Sequence, residues 1–146
     1  MLVRAARSSP SPYPPEAAAE SRAREVARGL IRQLALPDAV SAPIAEHAAR
    51  LGVTGGHLTE SVRRATGRTP GQLLREARTR EAKRLLSAGD LTVRQVAGRV
   101  GYPDPAYFSR FFRRETGMTP GAFRHAHRAD HHLPHAQSIA ESTGSS

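Results

Sequence analysis

One pattern occurs twice in this chain. Residues 44–69 read IAEHAARLGVTGGHLTESVRRATGRT, and residues 93–119 read VRQVAGRVGYPDPAYFSRFFRRETGMT. Each copy opens on A-x-x-[LV]-G (Ala48 to Gly52, Ala97 to Gly101), crosses a short turn into an apolar-plus-arginine segment, and closes on T-G-x-T-P-G (Thr66–Gly71, Thr116–Gly121). The closing blocks lie 50 residues apart but the glycines ahead of the turn only 49, so the second copy has one extra residue in its turn. A short helix, a glycine turn and a second helix form the helix-turn-helix arrangement, whose second helix enters a DNA major groove. Having it twice restricts the chain to an all-α fold of two similar subdomains. It also makes duplex DNA the leading partner.

Charge agrees. The formal net charge is +9, and fifteen basic against seven acidic residues lie between Ser41 and His127. This is a basic domain, not a basic tail on a neutral body, and it suits a polyanion. The preference for arginine over lysine (Lys83 is the one lysine) reflects a GC-rich genome; the net charge does not. The absence of cysteine excludes a disulfide framework and a thiolate zinc site. The first residues, MLVRAARSSPSPYPPE, contain no apolar run of signal-peptide length, and nothing approaches the ~20 apolar residues of a membrane span. A cytoplasmic protein that does not touch membranes is therefore expected.

Residues 1–16 are too rich in proline, serine and arginine to order themselves and read as a disordered tail; residues 128–146 read as a second, His-rich tail. Between them, residues 17–127 show apolar positions at helical spacing and no sustained strand alternation, which predicts about seven helices. The first spans about Ala17 to Ala35, with Val26, Leu30, Ile31 and Leu34 on one face, and ends at Pro37. Ser41 is expected to cap the second, with Ile44, Ala45, Ala48 and Leu51 inward and a stop at Gly52. Thr54 opens the third, about Gly55–Thr66, with Leu58, Val62 and Ala65 as its stripe. Thr69-Pro70-Gly71-Gln72 combines a cap threonine, a proline at the first helical position and a glutamine able to complete a capping box. The helix it starts, residues 70–88, joins a first motif (41–67) to a second (92–117). Thr92–Gln95 is another capping box, and Asp104-Pro105 starts the sixth helix, with Phe108, Phe111 and Phe112 at i, i+3 and i+4. A closing helix, 120–127, carries Phe123. Six of the seven aromatic residues lie in the second half, which predicts the better-packed subdomain there. At this spacing an aromatic stripe reads as core, not as a base-stacking platform.

The segment from about Val40 to Arg124 resembles the DNA-binding domain of the AraC/XylS transcription regulators. The run RVGYPDPAYFSRFFRRETGMTPGAFR (Arg99–Arg124) is similar to that family's second helix-turn-helix and closing helix almost position by position. The resemblance implies two helix-turn-helix subdomains joined by a long central helix. It also implies a role in regulating transcription, with RNA polymerase as a further partner. About 40 residues of tail and first helix are too few for the ligand-binding barrel such regulators usually carry. The chain thus resembles the small stand-alone members or a fragment of a longer one, and no effector site or cofactor is expected.

On the third helix the outward positions include Gly56, Thr59 and Glu60, and on the sixth Pro105, Ala106, Ser109 and Arg110. The resemblance places the base-reading positions on these seven residues. Arg110 is the strongest, because a guanidinium can donate two bonds to guanine O6 and N7. Glu60 departs from the arginine common at its position: a carboxylate repels phosphate and can only accept, with cytosine N4 the leading donor. With Gly56, which has no side chain, it leaves the first motif less to read with than the second. Arg63, Arg64, Arg113 and Arg114 flank the two helices as phosphate candidates, with one of each pair expected nearer the protein. Arg99 and the backbone amides at the helix starts Thr54 and Thr92 complete that set. Arg78 is expected to be structural.

Other classes fit less well. No Gly-rich phosphate loop and no nucleophile-elbow serine suggests an enzyme, and a DNA-repair methyl acceptor would need a cysteine. His125, His127, His131, His132 and His135, with Asp130, have the irregular spacing of a flexible tail, not of a metal site. A degenerate module working through protein–protein contacts or non-specific DNA binding is the alternative that Gly56 and Glu60 leave open.

Overall fold

The computed structural model describes residues 15–128, and these contain seven α-helices and no strand. Helix α1 spans Pro15–Leu34, and a single 3-10 turn follows at Pro37–Ala39. The first motif is α2 (Ile44–Arg50) and α3 (Gly55–Thr66), the central helix is α4 (Pro70–Ala88), and the second motif is α5 (Val93–Arg99) and α6 (Pro105–Thr116). Helix α7 begins at Pro120 and runs to residue 128, the last of the described residues.

The repeat in sequence is a repeat in structure. Both first helices have seven residues and both second helices twelve, and four residues (51–54) separate α2 from α3 where five (100–104) separate α5 from α6. The corner is built alike in both copies: Val53 donates its N–H to the Ala48 carbonyl and Tyr102 to that of Ala97, at 3.0 and 2.8 Å.

Local chemistry sets most helix ends. Thr69 accepts from the Gln72 amide at 3.1 Å while the Gln72 side chain accepts from the Thr69 amide at 2.8 Å. Thr92 and Gln95 repeat this box at the start of α5. Each box satisfies two N–H groups that a helix start otherwise leaves without partners. At α6 the Asp104 carboxylate accepts from the Ala106 amide at 3.0 Å, and Pro105 supplies a fixed φ at the first helical position.

Three expectations about the first subdomain are corrected. Ser41 does not cap α2: its hydroxyl donates to the Asp38 carbonyl, closing the 3-10 turn, and Pro43 is the cap residue. Ala45 is exposed and His47 is buried in its place, with Nδ1 donating to Gln33 Oε1 at 2.6 Å. Ile31 is 48 % exposed, because α1 turns a different stripe inward, Ala23, Ala27, Leu30 and Leu34. Small side chains let α1 approach the first motif closely. A Cβ on Gly29 would lie 2.7 Å from Leu51 Cδ2.

One continuous core joins the two halves, running from Leu30, Leu58 and Val62 through Leu74, Ala82 and Leu86 to Val96, Phe108, Phe111, Phe112 and Phe123. Full burial of each such side chain contributes roughly 1.5–3 kcal/mol, so the three phenylalanines of α6 anchor that helix firmly. The phenylalanine stripe is core throughout, and Tyr107, just off it, is 49 % exposed.

Arg78 of α4 ties the subdomains together. Its guanidinium donates to the carbonyls of Val40 at 2.8 Å and Ser41 at 3.2 Å, and its far face lies 4.9 Å from the ring centre of Tyr102 in the second motif. Gly101 passes so close that a Cβ there would lie 2.8 Å from the Arg78 guanidinium and 2.9 Å from the Ser41 carbonyl oxygen. Helix α7 is held to the end of α4 in the same way: Arg124 donates to the carbonyls of Leu86 and Leu91, and Arg128 to that of Gly89.

Candidate nucleic-acid interface

Helices α3 and α6 each bury one stripe and present the opposite face. In α3 the stripe is Leu58, Ser61 and Val62; in α6 it is Phe108, Phe111 and Phe112. That leaves Gly56, Thr59, Glu60, Arg63 and Arg64 exposed on the first, and Ala106, Arg110, Arg113 and Arg114 on the second, with Pro105 and Ser109 half-buried at the edge. Counted from the caps Thr54 and Asp104, the two faces correspond residue for residue. Glu60 and Arg110 then hold the same position with opposite charge.

Hydrogen bonds decide what these groups can still offer. The Thr59 hydroxyl donates to the Gly55 carbonyl at 3.0 Å, so toward a base it can only accept. The space that a Cβ would take at Gly56 is empty out to 4 Å, so this helix start offers backbone alone. Thr54 uses its hydroxyl oxygen to accept from the His57 amide at 3.1 Å. The Thr92 amide, expected to meet a phosphate, instead donates to the Gln95 side chain in the capping box, so what Thr92 still offers is its hydroxyl hydrogen. Arg99 is exposed on α5.

Arg110 is better supported. Its guanidinium lies 5.9 Å from the ring centre of Tyr107, which packs against Tyr102 at 5.6 Å between ring centres. A cation over an aromatic face within about 6 Å is attracted by the ring quadrupole, and the contact narrows the rotamers of a long side chain. Tyr107 therefore belongs to this face. The tyrosine stands just off the phenylalanine stripe, three residues before Arg110, and that spacing is the signal that could have found it.

In the first motif a second element borders the face. Ala19, Arg22 and Ala23 of α1 and His57, Glu60, Ser61 and Arg64 of α3 enclose a cleft of about 200 Å³. Arg64 thus stands on the α1 side of the recognition helix, and Arg63, one residue earlier, is turned about 100° from it.

Two exposed helix faces in matching registers, each ending in an arginine pair, have close counterparts among known proteins. A family pattern described as a helix-turn-helix domain matches residues 47–126. The chain belongs to the AraC/XylS-type helix-turn-helix family. The DNA-binding domain of AdpA, a global transcriptional factor solved in complex with a target DNA, is similar at 32% identity with a TM-score of 0.59, covering 74% of this chain and 94% of that one. The C-terminal domain of AraT, a response regulator from Geobacillus stearothermophilus, is 25% identical with a TM-score of 0.58, covering 71% and 84%. The transcriptional activator RhaR of Salmonella heidelberg is 43% identical over 68 residues, which are 47% of this chain and 24% of RhaR. The chain thus spans about a quarter of the length of the curated relatives it matches. These AraC/XylS-type relatives are transcription regulators, not enzymes.

Among the described residues of this AraC/XylS-type domain no cluster of three metal-ligating side chains occurs, and no helix is long and apolar enough to cross a membrane. His127 stacks on Phe123 and bonds the Phe123 carbonyl, a local packing role. Asp130, His131, His132 and His135 lie outside the described residues.

Proposed function

We propose that this AraC/XylS-type chain is a sequence-preferring regulator of transcription that inserts α3 and α6 into successive major grooves of duplex DNA. The supporting observation is the matching pair of exposed helix faces, joined through one core by α4. Base contacts fall to Arg110, Ser109, Ala106 and Pro105 in the second motif and to Thr59 and Gly56 in the first, with Glu60 at the backbone-facing edge of that helix. Phosphate contacts fall to Arg63, Arg64, Arg99, Arg113, Arg114, Thr54 and Thr92. The second motif carries more of the sequence preference, since Arg110 can make a bidentate guanine contact and Glu60 cannot. Residues 17–127 form the DNA-binding unit, in the cytoplasm. RNA polymerase is a further partner in this reading.

Half-sites read by two such helices lie about one turn, ~34 Å, apart. A stiff α4 holding that distance favours a bent or bendable site, which adds sequence dependence at base pairs the protein never touches.

The test is the salt dependence of binding to a duplex selected from random sequence. Neutralising Z phosphates gives a log–log slope near −0.9Z, and roughly four to seven arginines are placed to do so. A slope of that size supports the interface, and a slope near zero between low and physiological salt overturns it.

A further inference from the structure

We infer that Arg22, on α1, is a DNA phosphate contact: with Arg64 it forms a cationic clamp on the backbone strand that runs beside the first recognition helix. The inference rests on the proposed seating of α3 in the major groove and extends the interface to a helix outside both motifs.

Placement comes first. Ser61 is 4% exposed because α1 lies over it, and His57, Glu60 and Arg64 share that side of α3. Thr59 and Arg63 lie on the other side. A helix in a groove about 12 Å wide has a phosphate strand along each flank. Arg63 is placed for one strand and Arg64 for the other. On α1 the buried stripe starts at Ala23, and Arg22 stands beside it, at the edge that meets α3. Arg28 and Arg32 are exposed, and at 100° per residue they project away from this cleft.

Charge comes second. Two guanidiniums and an imidazole converge on one cleft of about 200 Å³, with Glu60 as its one carboxylate. Among the described residues the ion pairs are Arg50–Glu46, Arg68–Glu76 and Arg84–Glu81, so Glu60 is paired with neither arginine. An anion seated between Arg22 and Arg64 relieves their mutual repulsion, and the small side chains of Ala19 and Ala23 leave it room. The cost of placing Glu60 near the phosphate backbone is thereby offset from a neighbouring helix.

The experiment compares the full chain with its Arg22→Ala, Arg22→Lys and Arg28→Ala variants on the selected duplex and on a scrambled one, with helicity and thermal melting confirming the fold. One lost phosphate contact shrinks the ratio of affinities at 50 and 200 mM salt by about 3.5-fold, since the slope falls by ~0.9. Arg22→Ala is expected to show that loss equally on both duplexes, Arg22→Lys to retain most of the wild-type slope, and Arg28→Ala to match wild type. An Arg22→Ala slope equal to wild type, a loss of affinity without a change in slope, or an equal effect of Arg28→Ala overturns the inference while leaving the DNA reading intact. If the wild-type chain itself shows no salt-dependent binding, both readings fall together.

Discussion

Glu60 and Arg110 stand at equivalent positions on the two recognition helices, and their opposite charges give the two motifs different work. Arg110→Ala is expected to lower affinity for a duplex carrying its guanine by about 1–3 kcal/mol, and to abolish the preference for guanine at that base pair. Thr59→Ala should cost less, because the hydroxyl hydrogen is already donated to the Gly55 carbonyl. Competition binding across single-base variants of the site measures both. If Thr59→Ala costs more, the first motif carries the specificity and the assignment is reversed. The place of Glu60 between Arg22 and Arg64 favours a backbone-facing role. Glu60→Arg should then raise affinity for native and scrambled duplexes alike and steepen the salt slope. A loss confined to the native site would instead identify Glu60 as a cytosine contact. His47 titrates against the fold: burial, and then the Arg50 charge, push its pKa below the ordinary value of 6.5, against weaker opposing effects of the Ala39 and Ala42 carbonyls and Glu46. The unfolded chain binds the proton more readily, so stability should be constant above about pH 7 and fall as pH drops through 6.5. Urea denaturation at pH 7.5 and pH 5.5 checks this, and His47→Gln should lessen the difference.

At the scale of the helix, what could be read in the sequence was whatever the chain settles locally. Thr69 with Gln72 and Thr92 with Gln95 are complete within four residues, and both boxes form. The stops at Gly67, Gly89 and Gly117 are likewise local. Ile31 and His47 could not be read this way, because their partners are tertiary: the close seam of α1 against the first motif, and Gln33 fourteen residues away. At Ser41 two local choices competed: Pro43 took the cap position, and the hydroxyl turned back to the Asp38 carbonyl three residues earlier. The candidate site divides along the same line. The outward faces of α3 and α6, and Tyr107 three residues before Arg110, follow from helical period, whereas the cleft beside α1 depends on packing. Gly101 carries a local and a tertiary requirement together, with φ +97 and no room for a Cβ beside Arg78 and Ser41. Gly117→Ala, at φ +81 in open space, should cost about 1 kcal/mol, and Gly101→Ala clearly more, roughly 2–3 kcal/mol or beyond. Equal losses in thermal denaturation would show that the approach at Gly101 is not tight.

Across the whole molecule the question is whether two similar motifs act as one reader. The continuous core and the Arg78 bridge from Val40 and Ser41 to Tyr102 hold them in a fixed relation, which a flexible linker would not. A fixed relation means that the protein measures distance along DNA as well as sequence. The direct test starts from a duplex selected for tight binding, in which both half-sites have been located by single-base substitution. Five base pairs, half a helical turn, are then inserted between the half-sites. If α3 and α6 engage the same face of the duplex together, affinity should fall to that of a duplex retaining only the second half-site. Unchanged affinity after the insertion would contradict simultaneous insertion of the two helices.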